Sequence, residues 1–219
     1  MTFLSKLAHK AANFPFVKRA LAENRFIVRM YFNWKYKKQD PYHVGQSDYE
    51  KEKLDRAMAA LAFKDSFDNV LEVGCGEGFM TEALAGKAAH VLAVDISDIA
   101  VKRTAERTAG TSCVTAKRMD VFTTPPSPEY DLVVCSEVLY YFEPEQLPGA
   151  VENIIGWIRP GGHAALIHAR AKADDTTGID MKKFGAATIH GMFGKDPRFT
   201  IVSDDVQPLY RITVARKEL

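Results

Sequence analysis

Val70-Leu71-Glu72-Val73-Gly74-Cys75-Gly76-Glu77-Gly78 reads as a buried strand running straight into a glycine-rich turn. Val70, Leu71 and Val73 suit a parallel strand covered on both faces. Gly74, Gly76 and Gly78 lack the Cβ atoms that would hold a ligand off the backbone, and the helical pattern Phe79, Met80, Ala83, Leu84 follows at once. The spacing is G-x-G-x-G, not the G-x-G-x-x-G of a dinucleotide site, so a pyrophosphate over a helix N-terminus is the weaker reading. Alone, the glycines fit a structural tight turn as well as they fit a nucleotide-like ligand. Two later strand ends favour the ligand. The run His90-Val91-Leu92-Ala93-Val94 ends at Asp95, where a carboxylate can accept from both hydroxyls of a ribose. The run from Cys113 to Met119 ends at Asp120-Val121, placed to receive an exocyclic adenine amine.

Outward from this core, strand and helix signals alternate, which predicts a mostly parallel sheet with helices on both faces. After strand 90–95 come a helix near 98–109, strand 113–119, the Pro125-Pro126-Ser127-Pro128 turn and strand 131–136. A helix over 145–158 repeats Val151, Ile154, Ile155 and Ile158 on one face, and Gly161-Gly162 turns the chain into strand 163–169. A polar loop spans 172–178, and runs 199–203 and 209–215 suggest a closing hairpin. Ligands of such sheets sit beyond the carboxyl ends of the strands.

The length of 219 residues suits one domain, and 29 basic against 28 acidic residues leave no balance for binding a polyanion, which disfavours nucleic acid. Cys75, Cys113 and Cys135 lie in or beside apolar runs without metal-ligand spacing, as expected of reduced thiols in a cytoplasmic protein. No apolar run approaches a membrane span, and Met1 to Phe16 lacks the apolar core of a signal peptide. Charge is nevertheless uneven: residues 1–38 hold nine Lys or Arg against the single acid Glu23, with apolar residues at helical spacing. Residues 1–45 therefore read as a basic amphipathic helical cap or lid over a domain of residues 46–219. Such a cap either packs its apolar face on the core and solvates its lysines, or offers a surface to an anionic partner, such as a carrier protein, an acidic substrate or a headgroup layer.

Glu72 to Gly78, Val94-Asp95-Ile96-Ser97, Met119-Asp120-Val121, Tyr130 to Val134 and Arg159-Pro160-Gly161-Gly162-His163, in this order, resemble the class I S-adenosylmethionine-dependent methyltransferases. Ser136-Glu137-Val138-Leu139-Tyr140-Tyr141 resembles the E-V-L-Y-Y segment of the nodulation protein S-like branch, whose members methylate an amine on a chitooligosaccharide. Asp40-Pro41-Tyr42 and Tyr49-Glu50-Lys51-Glu52-Lys53 resemble its D-P-W and F-E-R-E-R segments, with Tyr for Trp and Lys for Arg. The resemblance implies a Rossmann-like, doubly wound, seven-stranded α/β sheet with its last strand antiparallel, and S-adenosyl-L-methionine as cofactor. It implies that Gly74, Cys75, Gly76 and Gly78 pass under the methionyl part, Glu72 braces the loop and the amino end, and Asp95 with Ile96 holds the ribose. By the same resemblance Asp120 and Val121 meet the adenine, Tyr42 covers the cofactor, and Lys53 meets its carboxylate without the bidentate fork of Arg. Ser136 and Tyr141 complete the cofactor set.

Methyl transfer from a sulfonium needs alignment and exclusion of water, and an amine or hydroxyl acceptor gains from a nearby base. Glu137 and His168 are the candidate bases. Each has a plainer reading, as a loop-bracing carboxylate and a hydrogen-bonded strand-end imidazole. Tyr140, with Tyr141, closes over the sulfonium or flanks an acceptor amine. His163 lies at the wrong end of its strand, and His190 falls in a segment, Phe184 to Phe193, that reads as a helix facing the substrate. No N/D-P-P-Y/F segment follows strand four, and no acidic metal-ligand arrangement is visible, so the expected reaction is metal-independent transfer to N or O of a small amino sugar, amine or secondary metabolite. A non-catalytic cofactor-binding scaffold is the alternative. A nicotinamide-dependent oxidoreductase would share the sheet but not the glycine spacing.

Overall fold

The computed structural model describes residues 24–121, 129–173, 175 and 184–218. Among these, seven strands form one sheet: β1 Phe67–Val73, β2 Ala88–Asp95, β3 Val114–Arg118, β4 Tyr130–Ser136, β5 Ile158–Ala169, β6 Phe199–Val206 and β7 Tyr210–Lys217. Their order is β3-β2-β1-β4-β5-β7-β6. β1 to β5 pair in parallel, while β7 runs antiparallel to both β5 and β6. The chain leaves β1 toward β2 and β3 on one side and returns to β4 on the other, so a crevice opens beyond the carboxyl ends of β1 and β4.

Helices α1 Arg25–Lys35, α2 Asp48–Ala60, α3 Phe79–Ala85, α4 Asp98–Arg107, α5 Leu147–Trp157 and α6 Ala186–Gly194 cover the sheet, with a 3-10 turn at Leu139–Tyr141. Successive strand residues feed opposite faces. Leu71, Val73, Val133, Cys135 and Leu166 meet Ile154 and Ile155 of α5 and Ile189 and Phe193 of α6. Val70, Leu132, Val134 and Ile167 meet Ala57 of α2 and Leu84 of α3 on the other face. Leu132 to Cys135 are all fully buried, as a strand covered on both sides requires.

Local chemistry sets the helix starts. Ser97 Oγ accepts the N–H of Ala100 at 3.2 Å to cap α4, Asn24 caps α1, and Ser47 caps α2. The predicted elements recur with ends shifted by one to three residues, and two differences are larger. Gly161-Gly162 does not open β5. The strand already begins at Ile158 and absorbs the glycines in a register shift against Tyr130 and Leu132. Gly161, at φ +74°, still turns the backbone within this bulge before regular pairing resumes at His163, while a Cβ on Gly162 would stand 2.9 Å from the Tyr130 carbonyl oxygen, so Gly162 serves strand packing. Ile158, placed on the helix by periodicity, is the first residue of this strand. Helix α2 was not anticipated. The 125–128 turn, and the apolar positions expected in the cap before residue 24, lie outside the described residues.

No helix among the described residues is long and apolar enough to cross a membrane. Cys75 and Cys135 are buried thiols, and Cys113 is a half-buried one.

Candidate functional site

A cavity of about 370 Å³ opens at the carboxyl ends of β1 to β5. The glycine turn forms its floor. Gly74, Gly76 and Gly78 have φ of +78°, +57° and +82°, which side-chain-bearing residues rarely adopt. Gly74 and Gly76 line the cavity, while Gly78, expected under the cofactor, is absent from its wall and packs on α4 instead. A Cβ on Gly76 would stand 3.0 Å from Tyr36 Oη, and one on Gly78 3.0 Å from Thr104 Cα.

Asp95, at the end of β2, is 8 % exposed and lines the cavity. Its Oδ2 accepts from Gly76 N–H at 3.1 Å and its Oδ1 from Ser97 N–H at 2.8 Å. Burial lifts its carboxyl to about 6 against the pull of those bonds. Glu72, on β1, is 2 % exposed, and burial raises its carboxyl to about 8 although the Thr81 hydroxyl donates to it. Cys75, Ile96, Val121 and Ser136 all line the same space.

Asp120 already has a protein partner. Arg25 of α1 reaches it with both Nε and Nη2, the latter at 2.9 Å from Oδ1. Asp120, expected to meet the adenine, is thus paired with a guanidinium that sequence reading did not single out.

Lys53, on α2, is 6 % exposed and sits between two carboxylates, 2.8 Å from Glu50 Oε2 and 2.8 Å from Glu137 Oε1. Burial works against its charge, but Glu137 and Glu50 outweigh it and hold the ammonium well above its usual range. Its two nearest partners are therefore protein carboxylates, not the cofactor carboxylate assigned to it by resemblance. Glu137 also accepts from Tyr140 Oη at 2.6 Å and from Ala169 N–H at 3.2 Å. Burial alone would raise its carboxyl; the Lys53 ammonium brings it below the ordinary range. Held ionised in this way, Glu137 is a weak base.

His168 is a correction. Its ring is fully buried and absent from the cavity wall, which Ile167 and Ala169 line instead, because neighbouring residues of a strand point to opposite faces. It therefore does not reach an acceptor. His190 is likewise buried, on α6, against His168 and not the cavity. His163 stacks on Phe63 at 4.7 Å, away from the site.

Aromatic side chains close the cavity. Tyr42 and Tyr141 bring their hydroxyls within 3.5 Å, Tyr141 meets Phe32 edge-on at 5.0 Å and Tyr140 at 4.9 Å, and Tyr36 stands 6.1 Å from Tyr42. Asp40 shapes the turn that presents Tyr42: at φ +45° its carboxylate accepts from Val44 and Gly45 N–H. Tyr36, Phe32, Tyr49 and Glu50 belong to the wall and were missed. Tyr49 and Glu50 stand in the F-E-R-E-R-like segment, whose helical placement would have exposed them.

Most of the apolar stripe of α1, the described helix of the cap, faces outward, against the reading in which the cap packs that face on the core. In α1, Arg25, Arg29 and Asn33 face the domain, with Arg29 Nε 2.9 Å from Asp98 and Asn33 bonded to Asp98 and Ser97. Phe26, Met30 and Trp34 are 65, 51 and 63 % exposed. Among the described residues no group of three or more His, Cys, Asp or Glu could hold a metal ion.

Known proteins carry the same architecture. The chain is 32 % identical over 125 residues to nodulation protein S of Azorhizobium caulinodans, a match covering 57 % of this chain and 60 % of that protein. It is 32 % identical over 124 residues to phosphoethanolamine N-methyltransferase 1 of Triticum aestivum, covering 53 % of this chain and 24 % of that one. The matches thus span about three-fifths or less of the length of these relatives. The crystal structure of the N-methyltransferase NodS from Bradyrhizobium japonicum WM9 in complex with S-adenosyl-L-homocysteine superposes with a TM-score of 0.76 at 24 % identity, covering 86 % of this chain and 97 % of that one. The profile of nodulation protein S (NodS) matches residues 27–200, and the chain belongs to that family.

Proposed function

We propose that the chain is an S-adenosylmethionine-dependent methyltransferase whose acceptor is an amino nitrogen of a small molecule. One observation carries this reading: a single cavity joins the glycine turn, Glu72 and Asp95 to Glu50, Glu137 and a set of tyrosines. Asp95 suits the cofactor's ribose, since its two backbone bonds leave acceptor capacity for a diol. Glu72, buried beside it, suits an ammonium, and Met119, Asp120 and Val121 would hold the adenine edge. When bound, S-adenosylmethionine supplies an electrophilic methyl group on a sulfonium.

The protein's own residues then orient the acceptor and keep water out. Two carboxylates, Glu50 and Glu137, face the cavity against the single ammonium of Lys53, a balance that favours an amine over a phenol. Tyr42, Tyr49, Tyr140 and Tyr141 add aromatic faces that attract cations. Glu137, held ionised, accepts an amine N–H and so aims the nitrogen lone pair. The names of the relatives point the same way, to amines such as phosphoethanolamine and to the amino sugars implied by the nodulation resemblance.

Calorimetry with S-adenosylmethionine and S-adenosylhomocysteine tests the first half, with Asp95→Asn weakening binding by about tenfold or more. Labelled cofactor offered with amino sugars, ethanolamine-type amines and phenols tests the second. Absence of binding to the folded protein, or transfer to phenols alone, overturns the reading.

A further inference from the structure

His168 on β5 and His190 on α6 are buried together behind the cavity wall, at 0 and 1 % exposure. His168 Nδ1 lies 3.1 Å from His190 Nε2, and His190 Nδ1 lies 2.7 Å from Thr213 Oγ1. The Thr213 hydroxyl donates to Asp204 Oδ1 at 2.8 Å, and Arg211 holds that carboxylate. At the other end, Leu139 N–H donates to His168 Nε2 at 3.3 Å.

Both ends of this chain dictate the same proton positions. A backbone N–H only donates, so His168 Nε2 accepts and its proton sits on Nδ1, directed at His190 Nε2. From the far end, the Asp204 carboxylate only accepts, so Thr213 gives it its proton and takes one from His190 Nδ1–H, leaving His190 Nε2 as an acceptor. Every link has one donor and one acceptor, and both rings are neutral: burial pushes His168 down to about 4 and His190 well below the usual imidazole range.

Leu139 opens the 3-10 turn that carries Tyr140 and Tyr141 into the cavity, and Glu137 just before it holds φ +54°. β5 grips this segment at three successive residues: Ile167 O accepts Glu137 N–H, His168 Nε2 accepts Leu139 N–H, and Ala169 N–H donates to the Glu137 carboxylate. A left-handed conformation at a non-glycine residue persists only where its surroundings over-determine it.

We propose that His168 is a positioning residue for the turn bearing Glu137, Tyr140 and Tyr141, and that His190, Thr213 and Asp204 lock the tautomer in which it acts. What that turn serves rests on the methyltransferase reading; the proton arrangement does not. Nitrogen-15 NMR of the histidine rings reads the tautomer in the wild type, which is expected to carry the His168 proton on Nδ1. A proton on Nε2 overturns the proposal with no variant needed. Thr213→Val removes the far link and should release the Nε2–H form, raising hydrogen exchange at the Leu139 amide by about tenfold or more while other β5 amides hold. Unchanged exchange at Leu139 overturns the proposal. For turnover, Thr213→Val should cut kcat about tenfold with the cofactor KM kept, and His168→Gln, which retains an acceptor toward Leu139, should recover more activity than His168→Leu. An inert wild type showing the expected tautomer and exchange would count against the methyltransferase reading alone.

Discussion

Replacing Glu72 by Gln removes an ionisable group while keeping an oxygen for the Thr81 hydroxyl. Burial is the main reason the Glu72 carboxyl titrates near 8 in the folded protein, against an ordinary value of 4.5, with the Asp95 charge adding to it. Between those values the folded state keeps a proton that the unfolded chain has lost, so stability falls as pH rises through the window. At about 1.36 kcal/mol per decade, the cost is ~1 kcal/mol at about pH 5 and ~4 kcal/mol at about pH 7.5. The Gln variant lacks this cost. Its stability relative to wild type should therefore grow by ~3 kcal/mol across that range, or roughly 6–12 °C in Tm for a domain of this size. Urea unfolding of both proteins without ligand, at the two pH values, reads the change, and titrating groups not coupled to Glu72 cancel in the difference. Parallel pH profiles would refute the assignment. Saturating S-adenosylhomocysteine, whose ammonium would neutralise Glu72, should flatten the wild-type profile.

Lys53→Met should destabilise the protein by about 3 kcal/mol near neutrality, because Glu50 and Glu137 lose the cation between them, and the loss should shrink as pH falls because Glu137, pushed up by burial and no longer held down by Lys53, takes up a proton in the variant; denaturant titration at about pH 7.5 and at about pH 5 checks it. Gly76→Ala should cost ~1–2 kcal/mol, since it combines a left-handed φ of +57° with a Cβ 3.0 Å from Tyr36 Oη. Adding Tyr36→Phe should restore part of that loss in the same titration, and strict additivity of the two changes would mean that the hydroxyl contact is not its source.

The cofactor half of the site was legible in the sequence because it is built from strand ends. An apolar run marks a buried strand, the residue after it falls at the carboxyl edge, and Asp95 and Asp120 were found in this way, whereas Glu72, inside β1, came from the resemblance. Alternation along a strand is less forgiving near its end. His168 sits one residue from two cavity-lining neighbours, and that single step turns its ring to the far face, a parity that the apolar run Ala164 to Ile167 does not reveal. Lys53 shows a different limit: resemblance located it in the cavity correctly, but its partners come from α2 and from the turn after β4, a pairing across 84 residues that no local pattern encodes.

Helix α1 was harder to read. Periodicity establishes that Phe26, Met30 and Trp34 share one face and Arg25, Arg29 and Asn33 another, and the usual inference buries the apolar face. Which face turns inward depends on what waits there. Beyond β2 and β3 the rim is acidic, with Asp98 at the start of α4 and Asp120 after β3, and both are matched by arginines of α1 in side-chain pairs that are only partly exposed. Val28 and Phe32, beside those arginines on the helix surface, supply apolar lining to the cavity. The helix can therefore satisfy the rim's charge and roof the cavity only by turning its basic face inward, which leaves Phe26, Met30 and Trp34 outward. The orientation of α1 thus follows from two carboxylates placed by the sheet, and a pattern read within the helix alone points it the wrong way.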